Sequence, residues 1–173
     1  MIIIKGMDNS GKSTLANTFG LEIVHPGPAP KTKAQERVFL REQAENARLP
    51  IVMDRVTCIS QQIYQKKLFD EEYMEYLRSM LETPHCVLIY CRPPDEIILD
   101  SSTHVAKGYD TPEHLEYLKQ NGKQFIGSYD KLMYKLTHIR YNYTVDDANK
   151  LVEKVLSTQF HLSEWRKYYD GNL

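Results

Sequence analysis

The feature of the sequence that most constrains its fold is a glycine-containing stretch close to the N-terminus. Residues 6–13 read Gly-Met-Asp-Asn-Ser-Gly-Lys-Ser, which matches the spacing G-x-x-x-x-G-K-[ST], and they directly follow an apolar run over residues 1–4. Glycines at these places let the backbone wrap tightly, so that consecutive N–H groups point at phosphate oxygens. An apolar strand before such a stretch and a helix after it are the context that the pattern needs. The sequence therefore predicts a phosphate-binding loop between a first strand and a first helix.

Each fixed residue of this loop has its own predicted role. Lys12 brings a positive charge to the β- and γ-phosphates of ATP, and the Ser13 hydroxyl can ligate Mg²⁺. The positive end of the helix that begins here adds to the attraction for anions. We therefore expect ATP to be the phosphate donor and Mg²⁺ to accompany it. The predicted ATP contacts are Asn9, Ser10, Gly11, Lys12, Ser13 and Thr14.

Size and composition predict one globular domain over residues 1–173. Apolar residues make up 42% and charged residues 26% of the chain, as in ordinary globular proteins. The formal net charge of −1 argues against a nucleic-acid binder, and no apolar run approaches the length of a membrane span. Three cysteines, an odd number, fit a reducing compartment. We expect a cytoplasmic protein that binds neither nucleic acid nor membranes.

Predicted strands and helices alternate along the chain. Apolar runs over residues 1–4, 21–24, 50–53 and 86–91, with an alternating segment at 139–145, predict five strands. The longer helices are predicted at 32–47, 60–67, 70–81, 111–136 with a break near Gly122, and 146–158 with Asp146 as its cap. This order predicts an α/β fold, a five-stranded parallel sheet with helices on both faces. Residues 101–125 are expected to form a small lid and residues 160–173 a tail.

Two charged residues stand where the third predicted strand ends. Ligands of open α/β sheets bind outside the carboxyl ends of the strands, and this end carries Asp54 and Arg55. A carboxylate delivered there beside a phosphate loop is how P-loop enzymes hold Mg²⁺. An arginine next to it can hold a phosphate through two parallel hydrogen bonds. We therefore predict a metal role for Asp54 and a phosphate role for Arg55.

Taken together, four segments resemble the motifs of thymidylate kinase or, more broadly, of P-loop nucleoside monophosphate kinases. The family pattern is G-[LM]-[DE]-x-x-G-K-[ST]-[ST], E-P-G-G, D-R and S-x-x-A-[YF]-Q, and the chain has its counterparts at residues 6–14, 25–28, 54–55 and 60–65. The match in order extends from residue 1 to about 158. The resemblance implies an enzyme of nucleotide biosynthesis that transfers the γ-phosphate of ATP to a deoxynucleoside monophosphate, dTMP or another. The compact lid would also suit a virus-encoded member.

The same resemblance implies roles for particular residues. Asp8 would hydrogen-bond the 3′-hydroxyl of the acceptor, and Arg55 would hold the acceptor's 5′-phosphate near the γ-phosphate of ATP. Phe39 would stack on the base, with Arg41 nearby. The remaining predicted contacts with the acceptor are Pro26, Gln61, Gln62 and Tyr64. The family also implies a homodimer.

The chain departs from the family in ways that bear on catalysis. His25 stands where the family has an acidic residue, and Pro28 replaces a glycine. Such kinases place an arginine in the phosphate loop or in the lid, whereas this chain has none in the loop and none between Arg92 and Arg140. The transferring phosphoryl group still needs charge compensation. We therefore predict Lys107 and Arg92 as catalytic cations on the lid side, in addition to Arg55.

Three other functions remain open from the sequence. A deoxynucleoside kinase would phosphorylate a 5′-hydroxyl and would benefit from a carboxylate base, for which Asp54 would have to serve. A binding module that hydrolyses nucleotides would need no acceptor, although the guanine-reading sequence Asn-Lys-x-Asp does not occur. A nucleic-acid end kinase is disfavoured because the chain has no basic excess.

Overall fold

The strands form one parallel sheet with the first strand at its centre. The computed structural model of the chain describes residues 1–25, 30–100 and 112–159, without the side chains of residues 112–115, 158 and 159. The sheet has the order β2-β3-β1-β4-β5, and every neighbouring pair is parallel. The strands are β1 (Ile2–Lys5), β2 (Glu22–Val24), β3 (Ile51–Asp54), β4 (Val87–Cys91) and β5 (Ile139–Tyr141). This confirms the predicted five-stranded α/β fold.

Seven helices connect or flank these strands in the described part of the chain. They are α1 (Lys12–Thr18), α2 (Lys33–Glu45), α3 (Thr57–Tyr64), α4 (Glu71–Glu82), α5 (Asp95–Ile98), α6 (Pro112–Tyr134) and α7 (Ala148–Gln159). A short 3₁₀ turn, Asn46–Arg48, follows α2. Among the described residues, no helix is both long and apolar enough to cross a membrane.

The sheet separates two hydrophobic cores. Successive side chains of a strand point to opposite faces, so Ile3 packs with residues of α2, α3, α4 and α6, whereas Ile2 and Ile4 pack with residues of α1 and α7. Every residue of β1 is buried. A strand buried on both faces reads as an unbroken apolar run, which is why the sequence located it.

Two helix predictions need correction. The predicted break near Gly122 is wrong, because α6 continues through it. A Cβ atom at Gly122 would lie 2.4 Å from Leu99 Cδ2, so the glycine allows close packing within an unbroken helix. Asp147 rather than Asp146 caps α7, since its carboxylate accepts hydrogen bonds from the backbone N–H groups of Asn149 and Lys150.

Two boundaries also differ from the prediction. Helix α3 begins at Thr57, three residues earlier than expected, where the backbone N–H of Thr57 donates to the Gln43 side chain. Strand β5 ends at Tyr141, because the next residues form a turn in which the N–H of Asp146 donates to the carbonyl of Asn142. The Asp146 carboxylate accepts from the N–H of Asn142 and closes the same turn.

An ion pair joins the end of β4 to helix α6. Both Nε and Nη2 of Arg92 donate to the Asp130 carboxylate, at 3.0 and 3.1 Å, and the Tyr90 hydroxyl donates to the same group at 2.9 Å. Arg92 also pairs with Asp95 at 2.6 Å, and its side chain is 11% exposed. Ion pairs with this bidentate geometry are stronger than ordinary surface pairs, so this contact fixes α6 against the sheet.

Replacing this carboxylate tests its structural role. We expect Asp130→Asn to lower the free energy of unfolding by about 1–3 kcal/mol, because the half-buried Arg92 loses its charged acceptor. Urea unfolding at pH 7 measures the effect, with Glu153→Gln on the exposed side of α7 as the control. Equal stability of the Asp130→Asn variant and the control would contradict the assignment.

Candidate active site

The glycines of the loop make its tight path possible. Gly6 has φ +154°, and a Cβ atom there would lie 2.4 Å from the carbonyl oxygen of Cys91 and 2.6 Å from Ser10 Oγ. Gly11 caps α1 in the left-handed conformation, with φ +83°. Residues with a Cβ atom rarely adopt this geometry. The two fixed glycines therefore let the loop turn directly from the central strand into α1.

Lys12 begins α1 at the end of the loop. Its Nζ donates to the carbonyl of Met7 at 2.6 Å and lies 3.7 Å from Asp8 Oδ1, with 8% of the side chain exposed. Burial lowers the pKa of Lys12, while the nearby carboxylates of Asp8 and Asp54 oppose that shift. The hydroxyl-bearing residues Ser13 and Thr14 are exposed in the first turn of α1. This arrangement can receive an anion at the helix N-terminus.

Asp54 ends β3 beside the loop, because β1 and β3 pair with Ile4 opposite Asp54. The side chain is buried, and its Oδ2 lies 3.4 Å from Nδ1 of His25. Its Oδ1 is buried without a hydrogen-bond partner among the described residues. A buried carboxylate oxygen without a partner beside a phosphate loop fits the hydration shell of a divalent cation. Asp54 and Ser13 therefore suit the predicted Mg²⁺ site.

The described residues contain no cluster of metal-ligating side chains. No group of three or more His, Cys, Asp or Glu side chains that could hold a metal occurs among them. A cation at Asp54 would therefore take most of its ligands from nucleotide phosphates and water, as Mg²⁺ commonly does in phosphate-transferring sites. Ser10 Oγ is the second buried side-chain atom without a partner in the described chain, and it lies within the same loop.

Arg55 adopts a strained backbone conformation next to the loop. Its φ of +82° is rare for a residue other than glycine, and such strain is often found at functional sites. Nη2 of Arg55 lies 4.0 Å from Asp8 Oδ1, with 61% of the side chain exposed. The Asp8 carboxylate is thus flanked by two cations, Lys12 and Arg55. The structure brings the predicted donor-side and acceptor-side cations together around one carboxylate.

Two residues of helix α3 have different contacts: Tyr64 lies against the loop, and Gln62 stabilises the end of the helix. The Tyr64 hydroxyl lies 3.9 Å from Met7 Sδ, and its ring packs edge-on against Phe125 at 5.1 Å. Gln62 is fully buried, donates to the carbonyl of Cys58 and accepts from the N–H of Phe69, so it stabilises the end of the helix. Gln61 is also buried. Of the three residues of α3 predicted to contact the acceptor, Tyr64 has a contact with a loop residue, Met7.

The two residues of α2 that were predicted to contact the acceptor, Phe39 and Arg41, lie on different sides of that helix. Phe39 is half-buried and stands one turn before Gln43, whose amide donates to Thr57 Oγ1 at 2.9 Å. Phe39 is therefore on the side of α2 that faces the start of α3. Arg41 is exposed and, two positions further on, lies away from that side. Phe39 therefore shares the α3 side of α2 with Gln43, whereas Arg41 does not.

Three further predicted site residues are Lys107, Pro26 and Arg92, and the structure describes only Arg92. Lys107 and Pro26 lie outside the described residues. Arg92 donates to Asp130 and to the carbonyl of Pro93, and it pairs with Asp95. Because these contacts already hold its guanidinium against the fold, the geometry does not support a role for Arg92 as a lid cation.

A buried cation that sequence reasoning missed lies directly before the loop. Lys5 is 1% exposed, and its Nζ donates to Ser60 Oγ at 2.9 Å. Within the described chain this is its one hydrogen bond, and no carboxylate lies within 4.0 Å. Burial, helped by the positive charges of Lys12 and Arg55, lowers the pKa of Lys5 to about 7. A charged residue at the end of an apolar strand is the signal that could have found it.

The buried lysine makes a prediction about stability. The pKa of Lys5 is about 7 in the folded protein and about 10.4 in an unfolded chain. Between these values the Lys5 side chain binds more protons in the unfolded chain, so its own contribution to stability should rise from pH 7 towards pH 10. We expect Lys5→Met to be more stable than the wild type at pH 7 by at least about 1 kcal/mol, and this difference in stability to become smaller at pH 9.5. Urea unfolding at pH 7 and 9.5 measures both effects, and parallel behaviour of the two proteins would refute the assignment.

Comparison with solved structures shows the fold. No protein-family model matches the chain, and a search of curated proteins finds no similar sequence. YorR from Bacillus subtilis, in complex with phosphorylated GDP, is 15% identical with a TM-score of 0.68, covering 96% of this chain and 97% of YorR. Shikimate kinase from Acinetobacter baumannii, in complex with shikimate, is 19% identical with a TM-score of 0.59, covering 94% of this chain and 93% of the shikimate kinase. Deoxyadenosine kinase from M. mycoides with bound dATP is 20% identical with a TM-score of 0.51, covering 91% of this chain and 98% of the deoxyadenosine kinase. The chain therefore shares its α/β fold with these three proteins.

Proposed function

We propose that the protein is an ATP-dependent kinase that transfers the γ-phosphate of ATP to a deoxynucleoside monophosphate, dTMP or another, to give the diphosphate. One observation carries the proposal: Asp8 lies 3.7 Å from Lys12 and 4.0 Å from Arg55 at the mouth of the phosphate loop. Two phosphate-binding cations so close together suit a reaction in which the phosphates of two substrates meet end to end.

The donor side of the proposed site is built from the loop and α1. Lys12 and the loop N–H groups would hold the phosphates of ATP, and the Ser13 hydroxyl with Asp54 Oδ1 would hold Mg²⁺, directly or through water. When bound, Mg²⁺ would neutralise part of the negative charge of the phosphates. The buried position of Lys12 strengthens its attraction for an anion, because little solvent screens it.

The acceptor side is built from the ends of β3 and α3. Arg55 would hold the 5′-phosphate, Asp8 would accept a hydrogen bond from the 3′-hydroxyl, and Phe39 with Tyr64 would enclose the base and sugar. An acceptor phosphate oxygen is already ionised at neutral pH, so alignment and charge neutralisation suffice for transfer. Lys107 remains the proposed cation of the lid. We expect the enzyme to work in the cytoplasm and to form a homodimer, as the resemblance implies.

A panel of acceptors tests the proposal directly. The wild-type protein is incubated with ATP, Mg²⁺ and each of dAMP, dCMP, dGMP, dTMP or the matching deoxynucleosides, and the products are separated by anion-exchange chromatography. We expect at least one monophosphate to be converted to its diphosphate much faster than its nucleoside is phosphorylated. ATP hydrolysis without transfer to any acceptor would contradict the proposal.

A second candidate function is favoured by one contact. His25 Nδ1 lies 3.4 Å from Asp54 Oδ2, which places an imidazole beside a carboxylate at the edge where acceptors bind. A hydroxyl acceptor must lose its proton, and such a pair can receive it. Two of the similar structures, deoxyadenosine kinase and shikimate kinase, are named for acceptors that carry no phosphate. Transfer to nucleosides alone in the panel would favour this function.

The loop lysine tests the kinase assignment as a whole. We expect Lys12→Ala to lower kcat/KM for phosphoryl transfer by about a thousandfold or more, because the charge on the transferring group is no longer neutralised. Circular dichroism and thermal unfolding establish that the variant is folded. Lys150→Ala, at an exposed position of α7, is the matched control. A folded Lys12 variant with near-wild-type activity would exclude the assignment.

A further inference from the structure

The proposed phosphoryl transfer assigns no role to Lys5, and burying its ammonium group costs free energy. It has three donors, and Ser60 Oγ is their one acceptor in the described chain. Moving an ammonium out of water without a nearby anion is strongly unfavourable. The protonated form of Lys5 therefore has no carboxylate in contact with it among the described residues.

The groups around Lys5 leave the surroundings positive. Asp54 is the one carboxylate among its principal electrostatic neighbours, and it is opposed by Lys12 and Arg55. The Tyr90 hydroxyl already donates to Asp130. An additional anion in this region would therefore be stabilised. The charged and titratable groups near Lys5 are Lys12 of α1, Asp54 and Arg55 at the end of β3, Cys58 of α3 and Tyr90, its register partner on β4.

Ser60 links Lys5 to helix α3. It is half-buried on α3, five residues after Arg55, and its Oγ accepts the hydrogen bond from Lys5. The Ser60 hydroxyl proton is therefore left to donate elsewhere, and no described group accepts it. A hydroxyl polarised by an ammonium donates more strongly to an anion than an isolated hydroxyl does.

We propose that Lys5 and Ser60 together bind the phosphate group of the acceptor, with Ser60 as the hydrogen-bond donor and Lys5 as the buried counter-cation. The inference rests on the proposed function, since it requires an acceptor that carries a phosphate. Lys5 is a positioning residue here, because it acts through Ser60. A dianion bound at Ser60 favours the protonated form of Lys5, so binding and proton uptake are linked.

Binding measurements on variants test this arrangement. Isothermal titration calorimetry compares the deoxynucleoside monophosphate preferred in the acceptor panel with its nucleoside. We expect Lys5→Met and Ser60→Ala each to weaken binding of the monophosphate by about tenfold or more while leaving the nucleoside and ATP unaffected. Lys154→Met, at an exposed site on α7, is the control for loss of a lysine. Equal losses for monophosphate and nucleoside, or no loss for either, would overturn the inference.

A second measurement needs no variant. At pH 8 the 5′-phosphate is already a dianion, whereas Lys5, with its pKa of about 7, is mostly neutral in the free protein. Binding of the monophosphate to the wild type, measured in two buffers of different ionisation enthalpy, should therefore take up protons, and binding to Lys5→Met should take up fewer. Binding without proton uptake would overturn the inference.

The outcomes separate this inference from the function on which it rests. If the wild type phosphorylates no monophosphate, the proposed function fails and the Lys5 assignment fails with it. If the wild type phosphorylates a monophosphate but the Lys5 and Ser60 variants bind it normally, only the Lys5 assignment fails.

Discussion

The candidate site depends on the close approach of Gly6 to the neighbouring strand. A Cβ atom at this position would lie 2.4 Å from the carbonyl oxygen of Cys91, so only glycine lets the chain turn there from β1 into the loop. Because β1 is the central strand, the loop opens between the ends of β3 and β4. The pairing of Ile4 with Asp54 then sets the carboxylate beside the loop. The close approach at Gly6 and the register of β1 with β3 together bring the loop, the Asp54 carboxylate and Arg55 to one edge of the sheet.

The side chains at the carboxyl edge of the sheet carry more positive than negative charge around Asp8, so an anion bound there would be stabilised. Asp8 is flanked by Lys12 and Arg55, and Lys5 lies buried beside them without a carboxylate of its own. The sequence between Arg92 and Arg140 contains no arginine, and Arg92 itself is held by Asp130. In the proposed reaction, charge compensation would therefore come from Lys12, Arg55 and, as the sequence predicts, Lys107. Fixed charges of this kind need little rearrangement when phosphates bind.

Local spacing explains which features the sequence could predict. The loop, Asp54 and Arg55 are each encoded within a few residues, whereas apolar runs located four strands and an alternating segment located the fifth. The partners of Lys5 and Arg92, in contrast, stand 55 and 38 residues away, so only the fold reveals them. Gly122 was mistaken for a helix break because its contact with Leu99 is tertiary. The choice between Asp146 and Asp147 as the cap depends on a turn that the residue types do not specify.

The most direct test of the central claim is the affinity for bisubstrate analogues. In these compounds a polyphosphate chain joins adenosine to one of the four deoxynucleosides, so that both phosphate sites are occupied by one molecule. If the phosphates of donor and acceptor meet between Lys12 and Arg55, at least one of the four analogues should bind about a hundredfold more tightly than ATP. An affinity no higher than that of ATP for all four would contradict the claim.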